Sequence, residues 1–169
     1  GLPQLRRAVE LAPQLNCPAA HQIGEIARPY KEEGKLAEAA PLYSLAVELC
    51  PSDLWNQVAL GEVTRMEGDT AAATGILSSV VTADPDFPGV AGMLDDLFAS
   101  AGDTDKELSF WNTLAETHPN SGIPCFYLGT VLEQKGRPDE ARVQYGKALE
   151  RSPKFTGAMC RLGILELLA

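Results

Sequence analysis

Four prolines keep one period: Pro51, Pro85, Pro119 and Pro153 stand 34 residues apart. Gly34, Gly68, Gly102 and Gly136 keep the same step. No other feature restricts the fold as much. A chain that repeats at this interval builds one supersecondary unit again and again and buries each unit against the next. Between the markers, apolar residues recur at helical steps of three and four. Ahead of the glycines lie Ile23, Ile26, Ala27 and Tyr30, then Leu60, Gly61 and Val63. The next two cycles give Ala91, Leu94 and Phe98, and Cys125, Leu128, Gly129 and Leu132. After Gly34 come Leu36, Ala39, Ala40, Tyr43, Ala46 and Val47; after Gly136 come Ala141, Tyr145, Ala148 and Leu149. Each cycle therefore reads as two helices. The Gly takes the left-handed conformation that ends the first helix, and the Pro stops the second. Asp69, Thr104 and Asp139 stand near the starts of second helices, where a short polar side chain caps free N–H groups.

The spacing resembles the tetratricopeptide repeat (TPR), a 34-residue helix–turn–helix. The family's small-residue slot in the first helix falls on Ala27, Gly61, Gly129 and Gly163, with Asp95 departing from it in the third cycle. The Ala-x-x-x-aromatic pair of the second helix is Ala39 with Tyr43 and Ala141 with Tyr145. It weakens to Ala73 with Leu77 and to Glu107 with Trp111. The Trp that often opens the first helix is replaced by Ile23, Gln57, Ala91, Cys125 and Met159. The resemblance implies an all-α fold, a right-handed superhelical solenoid of repeats at 20–53, 54–87, 88–121 and 122–155. Residues 1–16 then form the second helix of a truncated preceding repeat, because Ala8–Pro13 echoes Ala46–Pro51. An insertion over Gln14–Ala19 is expected there as a longer helix or loop. Residues 156–169 form a first helix without its partner. Its tail, Leu162, Ile164, Leu165, Leu167 and Leu168, is apolar around much of the circumference, so self-association through 155–169 is expected. Both ends read as cut from a longer array or multidomain protein.

Composition narrows the function classes. The 169 residues allow one domain or two small ones, and 45% hydrophobic with 22% charged residues suits a globular chain. A net charge of −9 argues against nucleic acid and against anionic membrane surfaces. No run approaches the ~18 apolar residues of a membrane-spanning helix. Cys17, Cys50, Cys125 and Cys160 form no C-x-x-C pair, so a structural zinc site is not expected. They read as small buried hydrophobes that stay free thiols, which favours a cytoplasmic setting. No phosphate loop, dinucleotide fingerprint or nucleophile elbow occurs. His21 and His118 fall in different repeats. Asp95 and Asp96 point about 100° apart on a helix, and Asp84 and Asp86 flank a turn proline. No catalytic residue, cofactor or metal is expected.

Function then rests on the groove that first helices line in this family. Carried over by slot, the expected peptide-binding residues are Arg28, Lys31, Trp55, Val58, Arg65, Met93, Ile123, Phe126 and Tyr127. Trp55, Phe126 and Tyr127 stand away from the family's packing slots and read as binding anchors. Arg28, Lys31 and Arg65 place positive charge in the N-terminal half, opposite an acidic stretch of the partner. The family's carboxylate clamp for chaperone C-termini maps onto Gly24, Arg28, Ala59, Gly89 and Met93, or one repeat later onto Val58, Glu62, Met93, Ile123 and Tyr127. Neither set grips a carboxylate. The expectation is a non-catalytic scaffold or adaptor holding a protein or peptide segment. The alternatives are a regulatory or substrate-presenting region of a larger enzyme, such as a glycosyltransferase, and a self-assembling array.

Overall fold

The computed structural model describes residues 15–167. The regular elements among them are α-helices, in the order α1 (Asn16–Glu32), α2 (Leu36–Leu49), α3 (Leu54–Met66), α4 (Thr70–Ala83), α5 (Val90–Ala101), α6 (Thr104–Thr117), α7 (Ile123–Gln134), α8 (Pro138–Arg151) and α9 (Thr156–Leu167). The helices pair as hairpins at the expected step. Gly34, Gly68, Gly102 and Gly136 all have positive φ, between 69° and 93°, at the turns inside the hairpins. A side chain there would be strained, which is why the turn position recurs as Gly. Asp53 caps α3 by accepting from the Trp55 and Asn56 N–H groups, and Asp69 caps α4 through the Ala72 N–H. The cap of α6 is Asp103, accepting from Lys106, one residue ahead of the expected Thr104. Asp139 lies inside the first turn of α8 and pairs with Arg142 instead of capping. The stretch before residue 15, and with it most of the expected helix over 1–16, lies outside the described residues. α1 starts at Asn16, so Asn16–Ala19 of the expected insertion are helical, while Gln14 lies outside the described residues.

The chain divides into two compact units, residues 1–80 and 81–169, with the division inside α4. In the first unit, Ala20, Ile23, Leu45, Ala46 and Cys50 form one apolar cluster. Ala27, Ala39, Tyr43 and Val63 form the next. In the second unit, Ala115, Cys125, Ala148 and Ala158 pack together, flanked by Phe126, Leu149 and Phe155. Arg151 ties the same unit by donating to the carbonyls of Ala115 (3.0 Å) and Ser121 (3.3 Å). The small-residue slot is a steric requirement in both units. A Cβ at Gly61 would sit 2.7 Å from Leu77 Cδ2, and one at Gly129 would sit 2.6 Å from Tyr145 Cε1. At Gly163 a Cβ would meet nothing within 4 Å.

One expectation is overturned. Cys17 and Cys50 form a disulfide, with Cα atoms 4.8 Å apart, while Cys125 and Cys160 are free. Equivalent residues of neighbouring repeats stand roughly 10 Å apart, too far for a disulfide. Cys17 and Cys50 are not equivalents. One stands in the first turn of α1 and the other caps the end of α2, and antiparallel helices of one hairpin bring those two ends together. The disulfide also removes the ground for favouring the cytoplasm, since such bonds persist in oxidising surroundings.

Denatured without reductant, the protein should show two titratable thiols, and four after reduction. Closing a loop of 33 residues should make the Cys17→Ser/Cys50→Ser variant less stable by about 2–4 kcal/mol in urea unfolding. Gly129→Ala should cost about 1–3 kcal/mol by forcing the Tyr145 ring to move. Gly163→Ala, with open space around it, should be neutral or gain up to about 1 kcal/mol from helix propensity. Equal effects at the two glycines would contradict the steric account.

Candidate functional site

The expected groove residues divide between the two units. In the first they lie on α1 and α3. Arg28 pairs with Glu25 at 2.6 Å, and Lys31 crosses from α1 to Glu62 of α3 at 2.5 Å. Both cations are thus answered by acids of the same face, and the positive field expected there is locally neutralised. Arg65 is exposed. Trp55, next to the Asp53 cap, is 67% exposed. Val58 is buried and serves the core rather than the surface. Gly24, another slot on this face, is buried as well. Its missing Cβ leaves room for Asn56, whose Oδ1 would stand 2.1 Å from such an atom. Asn56 is itself buried and donates to the Ala20 carbonyl (3.3 Å) and the Asp53 carboxylate (2.8 Å), which binds α3 to α1.

In the second unit Met93 lies on α5, and Ile123, Phe126 and Tyr127 lie on α7, all half-buried. Phe126 and Tyr127 are not free-standing anchors. Tyr127 stacks on Trp111 with ring centroids 4.8 Å apart and planes 19° apart. Phe126 meets Tyr127 at 5.1 Å, Phe155 at 4.7 Å and Tyr145 at 5.8 Å. Trp111 in turn meets Phe110 edge-on at 5.0 Å. Such pairs add stabilisation beyond the area they bury, so the partly exposed rings of α7 are held in place by the core rings behind them. Trp111 and Tyr145 hold the aromatic slot of the second helices and Phe126 and Tyr127 do not, yet the rings form one continuous cluster. Ile123 also lines an open pocket of about 470 Å³ with Asp86, Pro153, Lys154 and Phe155.

Burial, and then the charges of Asp95 and Asp96, push the Tyr127 phenol up to about 12. It stays a neutral hydrogen-bonding group. Burial also pushes up the Tyr145 phenol, whose hydroxyl donates to Glu133. Arg161 of α9 stands 3.7 Å from the same Glu133. The Cys125 thiol is buried and its pKa is raised, so it is no ready nucleophile. Asp84 and Asp86 are occupied by turn chemistry: Asp84 accepts from the Asp86 N–H at 3.0 Å, and Asp86 accepts from the Ser121 hydroxyl at 2.7 Å. Among the described residues no group of three or more His, Cys, Asp or Glu could hold a metal ion. No helix among them is long and apolar enough to cross a membrane. Asn56 and Glu62 were missed as structural partners in the sequence; nothing short of the α1–α3 contact identifies them.

A family model for the tetratricopeptide repeat matches residues 123–155, the hairpin of α7 and α8. No curated protein matches the chain. Solved structures do. A tetratricopeptide repeat protein from Parabacteroides merdae ATCC 43184 is 21% identical with a TM-score of 0.61. The match covers 87% of this chain and 59% of that one, so the chain spans less than two thirds of that protein. YrrB, a TPR protein with an unusual peptide-binding site, is 19% identical with a TM-score of 0.55, over 97% of this chain and 82% of its own. MamA from Desulfovibrio magneticus RS-1, from its residue 41 to the end, is 14% identical with a TM-score of 0.57, over 88% and 84%. At these identities the likeness is one of fold. Residues 123–155 thus match the tetratricopeptide-repeat family model, and the helical hairpins at a 34-residue step share the fold of these solved tetratricopeptide-repeat structures.

Proposed function

We propose that the chain is a non-catalytic protein–protein interaction module and that the second unit holds a partner segment against its first helices, at Met93, Ile123, Phe126 and Tyr127. The observation that carries this reading is the aromatic cluster. Phe126 and Tyr127 are partly exposed yet braced by Trp111, Tyr145 and Phe155. A ring held rigid before binding loses little freedom on binding, which is what makes buried aromatics strong anchors. Met93, half-buried on α5, offers an adaptable apolar contact. The pocket at Ile123 is large enough for one apolar side chain of a partner. YrrB, similar in fold, has a peptide-binding site, which supports the class of ligand without identifying it. In the first unit, Trp55 and Met66 are the exposed apolar groups of the corresponding face. Arg28 and Lys31 act there as paired rim charges, and Arg65 as an exposed one. No carboxylate clamp is proposed: the slots in question hold Gly24, Ala59, Gly89, Met93, Ile123 and Tyr127 alongside Arg28.

A second reading has its own observation. On α9, Met159, Ile164 and Leu167 are 44%, 48% and 87% exposed, and the slot at Gly163 is open. Such a face suits contact with another helix, in this protein or in a second copy. Leu165, expected to share in it, is already buried, and Leu168 lies outside the described residues.

For the first reading, a partner is captured by cross-linking and its segment titrated against variants. Tyr127→Ala and Met93→Ala should weaken binding about thirtyfold, the effect of losing roughly 2 kcal/mol at an anchor, with helicity unchanged. Arg28→Ala should have a small effect that vanishes in high salt. If these variants bind like the wild type while changes on second helices abolish binding, the reading fails. For the second, light scattering at high concentration should show association that Ile164→Glu with Leu167→Glu abolishes; a strict monomer refutes it.

A further inference from the structure

Three hairpins place small residues at the small-residue slot of the first helix and at the matching slot of the second. These are Ala27 with Ala39, Gly61 with Ala73, and Gly129 with Ala141. The α5–α6 hairpin has Asp95 and Glu107 at the same two positions. Glu107 is among the most fully buried side chains, at 1% exposure, and Asp95 is half-buried. The two carboxyls are close enough that each alters the other's hold on a proton. Glu107 Oε1 and Asp95 Oδ1 are both buried without a hydrogen-bond partner. Two ionised carboxylates in such a place would repel each other, a repulsion that the buried Trp111 indole N–H offsets only in part. One proton held between them removes a charge and supplies the missing donor.

We propose that Asp95 and Glu107 share one proton inside the α5–α6 hairpin and that this pair is a pH-sensitive element of the second unit. The surroundings place the proton on Glu107. Asp95 faces Asp96 on its own helix and Arg161 of α9, and its charge also reaches Tyr127 of α7 and Tyr145 of α8. Arg161 favours the ionised form of Asp95, while burial and Asp96 oppose it. Glu107 faces Asp95 and the indole of Trp111, which favours its ionised form. Burial first, and then Asp95, push the Glu107 carboxyl up to about 7 from its ordinary 4.5. The sign follows from the folded state holding the proton more tightly than the unfolded one. The contribution to stability is complete below about pH 4.5 and is lost as pH rises through about 7. Above that, the hairpin carries two buried charges and must admit water or part its helices. Trp111, four residues along α6 from Glu107, stacks on Tyr127. The loosening therefore reaches the face proposed to bind a partner, a consequence that rests on that proposal, whereas the proton-sharing pair does not.

Carboxyl carbon NMR of the labelled full chain, from about pH 4 to about pH 9, tests the pair directly. One glutamate resonance should titrate near neutrality, disappear in Glu107→Gln, and move toward the ordinary carboxylate range in Asp95→Asn. The thermal midpoint of the wild type should fall between about pH 5 and about pH 8, while that of Glu107→Gln should lose this slope. Wild-type glutamates that all titrate below about pH 5.5 would overturn the proposal without any variant. So would a near-neutral resonance that survives Glu107→Gln.

Discussion

The closeness of the two helices in a hairpin governs the rest of this molecule. Gly61 lies under Leu77 and Gly129 lies under the Tyr145 ring, each with no room for a further carbon. Because the first helix presents no side chain there, the second helix can seat a large one directly on its backbone. That contact sets the depth at which each hairpin closes. It also fixes where the aromatic or aliphatic residue of the second helix projects. Tyr145 then reaches Phe126 and donates to Glu133. The turn glycines permit the reversal, but the small-residue slot decides how tightly it closes.

The third hairpin departs from this rule, and the departure is chemical as well as steric. Two acids replace two small residues, so an apolar contact becomes a buried titratable one. A buried polar group weakens a fold unless its partners are complete. Here completeness depends on a proton, and the interaction that holds α5 to α6 acquires a dependence on the medium that the other hairpins lack. The opposite device operates in the first hairpin. There a covalent bond joins the ends of α1 and α2, and Asn56 ties α3 to the same region. Within the first unit, Lys31 and Glu62 add an ion pair across α1 and α3.

The aromatic cluster of the second unit joins stability to recognition. Rings of α6, α7 and α8 touch in sequence, and Phe155 continues the row. A face braced in this way offers a partner a preformed surface. It also means that the residues proposed to bind are not energetically separate from the core. Substituting Phe126 or Tyr127 disturbs packing as well as contact, which makes Met93 the cleaner probe.

The 34-residue period, the helix pairs and the turn glycines were legible in the residues alone, because each is a local demand: helical spacing, a left-handed turn, a proline stop. What register does not supply is which side chains from distant positions meet. Cys17 and Cys50 looked like unrelated thiols until antiparallel pairing brought the start of α1 to the end of α2. Arg28 and Lys31 looked like free cations until Glu25 and Glu62 stood beside them. Phe126 and Tyr127 looked like bare anchors until Trp111 and Phe155 closed behind them. Asp95 and Glu107 each appeared as a lone departure from the pattern, and only their juxtaposition makes them a pair. Periodicity specifies the position of a residue along its own helix, whereas charge, redox state and exposure depend on neighbours that only the packed structure assigns.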